Sequence, residues 1–265
     1  MTKPFDAAAA AAAIAADRLA RRPIALLTDG LRPPGLADGY RVQFALHEIL
    51  ASAGCGRRVG WKIGATTRVM QEWLAIDHPC GGGVLAGAVQ RGTGRFRAAD
   101  LVKPMVETEI VATLGADLPP RDAPHDVASV APAVAALHAG IELVDSRYGD
   151  YRAHGVPTLI GDDFFQAGVV IGAPVAGWRT LDLPALAGRV AINGAVVGEG
   201  KGAAVMGHPL AALAWLADTL AGVGQRLRAG EFVFLGSVVA PQPVKAGDHV
   251  AVTFAGLGSV EADFA

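Results

Sequence analysis

Two carboxylates, Glu107 and Glu109, flank Thr108 in the run Pro104-Met105-Val106-Glu107-Thr108-Glu109-Ile110-Val111. The run reads as a β-strand, and strand side chains alternate with period two, so both acids share one face. A third acid, Glu142, lies in a second apolar run, Gly140-Ile141-Glu142-Leu143-Val144-Asp145. Carboxylates held about 4 Å apart repel by roughly 4 kcal/mol per pair at an effective dielectric near 20. Such a cluster shares protons or binds a cation. Hard oxygen donors with no His or Cys beside them suit Mg²⁺ or Mn²⁺ better than zinc. Taken alone, acids alternating with apolar residues also suit a half-exposed sheet. What favours the metal reading is Glu142 together with Lys62, in Gly60-Trp61-Lys62-Ile63-Gly64. A lysine inside an apolar strand needs a paired charge, and beside a metal it can give up its proton and act as acid or base. The competing reading is a lysine that snorkels from a strand edge.

These residues need elements to carry them. Helices are expected over Asp6 to about Arg21, where an alanine run follows a capping Asp6, and over Leu36 to Ala53, after the Pro33-Pro34-Gly35 break. Beyond Arg58 the texture changes to short β-branched runs between Gly and Pro: Val59–Ile63, Val106–Thr113, Ala139–Val144, Ala167–Ile171, Arg189–Val197, Phe232–Leu235 and His249–Phe254. Helices are expected between them at Thr67–Leu74, Val127–Leu137 and Pro209–Gly222. Many short strands joined by Gly-rich turns imply a sandwich, barrel or rolled sheet. The expected organisation is a helical segment over 1–57 followed by one β-rich unit over 58–265.

With 23 basic and 25 acidic residues the net charge is −2, which leaves no positive field for nucleic acid or an anionic membrane. Neither is expected as a partner. No apolar stretch reaches membrane-spanning length without Gly, Pro or charge. Cys55 and Cys80 provide neither a disulfide framework nor zinc spacing, which fits a reducing cytoplasm. Gly81-Gly82-Gly83 reads as a turn, and Gly198-Glu199-Gly200-Lys201-Gly202 lacks the spacing and the Ser or Thr of a phosphate loop. His138 falls at the end of an expected helix, and His154 and His208 in loops. Ser237 lacks the strand-turn-helix context of a nucleophile elbow, though its hydroxyl is placed to touch a ligand.

Several segments in register resemble the 2-oxopent-4-enoate hydratase and 4-oxalocrotonate decarboxylase group of the fumarylacetoacetate hydrolase superfamily. They are Gly60-Trp61-Lys62-Ile63-Gly64, Ile76-Asp77-His78-Pro79, Glu107-Thr108-Glu109, Gly140 to Tyr148, Gly207-His208-Pro209, and Gly230 to Ser237 followed by Val244-Lys245-Ala246-Gly247-Asp248. The resemblance implies an α+β fold with a rolled mixed β-sheet behind an N-terminal helical segment. It implies a Mg²⁺ or Mn²⁺ ion on Glu107, Glu109 and Glu142, and a catalytic Lys62. Asp77, Asp163, Phe165 and Ser237 become candidates for the substrate pocket. The implied reaction is addition of water to a 2-hydroxy-2,4-dienoate in aromatic-compound catabolism. A 4-oxalocrotonate-type decarboxylation, or a non-catalytic partner subunit, is the alternative. A homo-oligomer is implied, and association with a sequential pathway enzyme is an expectation. Two departures stand out: Asp162-Asp163-Phe164-Phe165-Gln166 replaces an Asp-Asn-Ala stretch followed by small residues, and Cys80 stands where an acid is common.

Overall fold

The computed structural model describes residues 4–28 and 30–265. In chain order its helices are α1 (Ala7–Leu19), α2 (Leu36–Leu50), α3 (Arg68–Leu74), α4 (Val127–Val130), α5 (Tyr151–His154), α6 (Val156–Gly161) and α7 (Pro209–Gly222). Its strands are β1 (Arg58–Gly64), β2 (Cys80–Leu85), β3 (Val89–Arg91), β4 (Thr93–Phe96), β5 (Pro104–Leu114), β6 (Val134–Asp145), β7 (Gln166–Ile171), β8 (Ala187–Ile192), β9 (Ala195–Lys201), β10 (Phe232–Ser237), β11 (Gln242–Pro243), β12 (His249–Phe254) and β13 (Gly258–Phe264). A large mixed sheet runs in the order β2-β1-β10-β5-β6-β7-β3, with β11 also on β5, and a second sheet runs β4-β13-β12-β8-β9. Neither closes into a barrel. The fold is α+β with rolled mixed sheets, as expected.

Period-two alternation sorts the large sheet into two unlike faces. Trp61, Ile63, Ile110, Ile141 and Leu143 point to a core shared with Val190, Val252 and Phe264 of the second sheet and with α7. Buried Leu210, Leu213, Leu216 and Leu220 anchor α7 in this core, each contributing about 1.5–3 kcal/mol. That burial explains why Gly202–Gly222, long and apolar enough by composition to cross a membrane, packs here as a core helix behind Pro209. The opposite face carries Lys62, Glu107, Glu109 and Glu142, one residue out of phase with the core positions. Asp6 accepts a hydrogen bond from Ala9 N–H at 3.0 Å and caps α1. Ala10, Ala11 and Ile14 of α1 then pack with Val42 and Leu46 of α2 in a cluster that also holds Cys80 and Phe164.

Four expectations are corrected. The helix over Val127–Leu137 stops after one turn, because Pro132 follows the Asp126–Ser129 capping box and the chain from Val134 pairs with β5. His138 therefore lies inside β6, with its ring nitrogens against Thr113 Oγ1 at 2.8 Å and the Gly172 carbonyl at 3.0 Å. Gly81-Gly82-Gly83 is a buried strand, β2, rather than a turn. The run Arg189–Val197 splits into β8 and β9 at Asn193-Gly194, whose φ values of +52° and +83° make a tight hairpin. His154 ends α5 rather than lying in a loop, while His208 stays outside the helices as expected and caps α7, its Nδ1 accepting the Leu210 N–H at 3.0 Å. The strands β2, β3, β4 and β11 were not legible as strands, since Gly-rich or very short segments lack the alternation that marks one, whereas β13 carries that alternation in Ser259-Val260-Glu261-Ala262-Asp263-Phe264 and was overlooked.

Candidate functional site

The three acidic residues converge. Glu107 on β5 stands directly opposite Glu142 on β6, and Glu109 lies two residues along the same face opposite Gly140. Carboxylate oxygens of Glu107, Glu109 and Glu142 all lie within 4.8 Å of one another. Lys62 arrives from β1, which pairs through Phe234 of β10 to Val111 of β5. Its Nζ stands 3.1 Å from Glu142 Oε1. This is a charge contact without the alignment of a full hydrogen bond. Lys62 is 1% exposed, and Glu109 and Glu142 are 0% exposed. The floor beneath them is apolar: a Cβ on Gly140 would meet Val111 Cγ2 at 2.4 Å and Phe234 Cε1 at 2.7 Å, so both side chains close over that glycine.

A bulge at the end of β10 supplies the only backbone donor aimed at the acids among the described residues. Gly236, at φ +113°, turns its N–H to Glu109 Oε2 at 2.7 Å. Such a φ is open to glycine, and a side chain here would also strike Thr66. Glu109 Oε1 and both oxygens of Glu142 have no hydrogen-bond donor. Burial pushes the Glu142 carboxyl up to about 7; Lys62 opposes this and Glu107 adds to it. Burial, then Glu142 and Glu107, hold the Glu109 carboxyl well above its ordinary range. For Lys62 burial works against the charged form, but Glu142, Glu107 and Glu109 outweigh it and raise the ammonium above its ordinary value. Without a cation, then, the three acids favour the charged form of this lysine.

Charge counting states what the cluster lacks. Three carboxylates and one ammonium leave two negative charges uncompensated in a buried site. Ionised carboxylates no more than 4.8 Å apart repel by about 3–4 kcal/mol or more per pair at an effective dielectric near 20. One divalent cation balances the deficit and gives the donorless oxygens a partner. Oxygen-only ligation suits a hard ion of the Mg²⁺, Mn²⁺ or Ca²⁺ type.

The remaining candidates have other surroundings. Ser237 is opposite Glu109, and its hydroxyl is taken up by backbone: it accepts from Thr108 N–H at 2.9 Å and donates to the Val239 carbonyl at 2.6 Å. Asp77 lies exposed in the bend after α3, away from any ion pair among the described residues. Asp163 is buried and fully engaged: it receives His47 Nε2 at 2.7 Å, Gly83 N–H at 2.8 Å and Arg18 at 2.9 Å. Burial would raise its carboxyl, yet His47 and Arg18 win and lower it to about 2. Asp163 is therefore a fastening for its turn rather than a free pocket wall. Phe165 packs edge-on against Tyr148 at 5.5 Å, whereas the ring facing Lys62 is that of Phe164, its centroid 5.2 Å from Nζ. Sequence reasoning missed His47, Arg18 and Arg147, which hold this turn from distant segments. Cys80 is buried and reduced beside β1; burial pushes its thiol up to about 12, with Lys62 opposing.

The fumarylacetoacetate (FAA) hydrolase C-terminal family model matches residues 88–265. A 2-keto-4-pentenoate hydratase from Burkholderia vietnamiensis (strain G4 / LMG 22486) is 36% identical over 243 residues, 92% of this chain and 91% of its own. A 2-hydroxyhexa-2,4-dienoate hydratase from Comamonas testosteroni is 34% identical over 248 residues, again 92% of this chain and 91% of its own. Among solved structures, a 4-oxalocrotonate decarboxylase from Pseudomonas putida G7, complexed with magnesium and adipate, superposes with a TM-score of 0.90 at 29% identity, covering 98% of this chain and 97% of that one.

Proposed function

Since the chain belongs to the fumarylacetoacetate hydrolase C-terminal family and is an enzyme of the lyase type, we propose that it is a Mg²⁺-dependent hydratase of aromatic-compound catabolism. It adds water to a 2-hydroxy-2,4-dienoate and releases a 4-hydroxy-2-oxo acid. The observation that carries this reading is the buried set of donorless carboxylate oxygens on Glu109 and Glu142 beside the Lys62 ammonium. The magnesium complex of the decarboxylase at TM-score 0.90 supports the choice of ion. The two hydratases at 36% and 34% identity favour hydration over decarboxylation.

Glu107, Glu109 and Glu142 would hold the ion, which when bound neutralises charge developing on the 2-oxo oxygen and carboxylate of the substrate. The protein's own groups do the rest. Lys62 Nζ delivers a proton to the far carbon of the diene and takes back the one the 2-hydroxyl loses, so that an enone results and the ammonium is restored. Water then adds across that enone, its oxygen to C4 and a hydrogen to C3. Gly236 N–H holds Glu109 in place, and the Phe164 ring keeps bulk water from Lys62 Nζ.

The test is turnover of 2-hydroxypenta-2,4-dienoate by purified protein with Mg²⁺, following both loss of the dienoate chromophore and formation of the 4-hydroxy-2-oxo acid. Wild-type turnover no faster than that of Lys62→Ala or Glu109→Ala would refute the reading. The decarboxylase reading draws on the P. putida G7 superposition, and release of carbon dioxide from an oxalocrotonate without hydration of the dienoate would establish it instead.

A further inference from the structure

The turn joining α6 to β7 is built to present one ring. Asp163, Phe164 and Phe165 have φ values of +55°, +48° and +69°, a left-handed run that side chains with a Cβ adopt only at a cost. It is clamped from two sides. Asp163 is held by His47, Gly83 and Arg18, and Asp162 by Arg147 at 2.9 Å and the Tyr148 hydroxyl at 2.8 Å. What this strain secures is the placement of Phe164. Its ring packs over Gly64, where a Cβ would strike its Cδ1 at 2.4 Å while standing 3.3 Å from Lys62 Nζ. Ring and ammonium thus meet over the same glycine. Phe165 supports the ring from behind, edge-on at 5.2 Å, so the wall cannot simply retreat.

We propose that Phe164 is the specificity-determining wall of this site, admitting 2-hydroxydienoates whose far carbon carries hydrogen or a small apolar group and excluding a charged or aryl terminus. The inference rests on the hydratase reading of the same site. In that reaction Lys62 Nζ must reach the far carbon, so whatever that carbon bears meets the Phe164 ring. A distal carboxylate would be stripped of water against the electron-rich face of a ring. The guanidinium groups behind the turn, Arg18 and Arg147, already face Asp162 and Asp163. An aryl terminus would overlap a ring fixed by the clamp.

The experiment measures kcat and KM with Mg²⁺ for 2-hydroxypenta-2,4-dienoate, its 5-methyl and 5-phenyl analogues, and the corresponding 2-hydroxymuconate diacid. Proteins compared are wild type, Phe164→Gly, which suits the left-handed backbone, and Phe164→Leu. One misfitting methylene shifts kcat/KM by about 10–200-fold, so wild type should prefer the smallest substrate over the 5-phenyl analogue by at least about 100-fold. Phe164→Gly should compress that ratio to below about tenfold, mainly by lowering KM for the large substrate, with Phe164→Leu between. A ratio left unchanged in both variants, with kcat lowered equally on every substrate, would assign Phe164 a merely structural part and overturn the inference. If wild type turns over none of the dienoates, the hydratase reading falls and takes this inference with it. If it turns them over without discriminating, only the inference falls.

Discussion

Replacing Gly82 by alanine tests how the site is assembled. Gly82 on β2 pairs with Lys62 on β1, and a Cβ there would stand 2.3 Å from the Asp163 carbonyl oxygen, 2.8 Å from its carbon and 3.0 Å from Lys62 Cδ. Two of these three atoms are backbone, so no side chain can swing aside. The oxygen must retreat by about 0.7 Å to reach the 3.0 Å that real Cβ contacts approach, and overpacking of this kind costs about 1–3 kcal/mol. Asp163 cannot give way alone, since His47, Gly83 and Arg18 hold it. The displacement therefore passes to Phe164 and Lys62. A misplacement near 1 Å at reacting groups costs about 100-fold in rate, so Gly82→Ala should lose about 10–100-fold in kcat and about 1–3 kcal/mol in urea unfolding. Gly177→Ala is the control, because a Cβ there meets nothing within 4 Å, and it should stay within about 0.5 kcal/mol of wild type. Wild-type kcat and stability in Gly82→Ala would show that the turn is not seated on β2 as described.

Three further outcomes follow from the same geometry. Glu142→Gln leaves the pocket's shape but removes one of three charges, and Mg²⁺ affinity by calorimetry should fall by more than about 100-fold; an unchanged affinity would remove Glu142 from the ligand set. Lys62→Met should lower kcat by about 10²–10⁴-fold while Mg²⁺ binds as tightly or more tightly, a positive neighbour having gone; lost binding with intact turnover of residual holoenzyme would contradict this. Asp163 has its carboxyl lowered to about 2 from 3.8, so the stability it contributes is present above pH 4 and disappears as pH falls through 2. Urea unfolding should show about 2 kcal/mol lost across that window, and Asp163→Asn should lose that part of the acid dependence.

What could be read from the chain, and what could not, divides by the range of the interaction. Glu107 and Glu109 were legible because period two is a local property, and Lys62 because a lysine inside Gly-Trp-Lys-Ile-Gly is locally anomalous. Glu142 was legible as an acid inside an apolar run, but its place opposite Glu107 comes from the β5–β6 register, which no short window encodes. Gly81-Gly82-Gly83 was misread because its glycines answer to close approaches from Tyr40, Asp163 and His47, all far away in the chain. The same distance hid the clamp: His47 and Arg18 meet Asp163 across 116 and 145 positions. The helix expected over Val127–Leu137 failed because pairing with β5 outweighed local alanine propensity. The resemblance to the hydratase and decarboxylase group located the Phe164-Phe165 departure, but only coordinates distinguish the ring that faces Lys62 from the one that braces it.

Arg18 belongs to α1, yet it grips both Asp162 and Asp163. On the proposed reading, the ring that sets selectivity is thereby fastened to a helix that carries none of the three acids or Lys62. Substitutions along the α1–α2 packing seam would slacken the strained turn, let the aromatic gate breathe and broaden the range of accepted molecules, all with every reacting group intact. On that reading the remote helix acts as an adjustable screw for substrate length, turned without disturbing the chemistry.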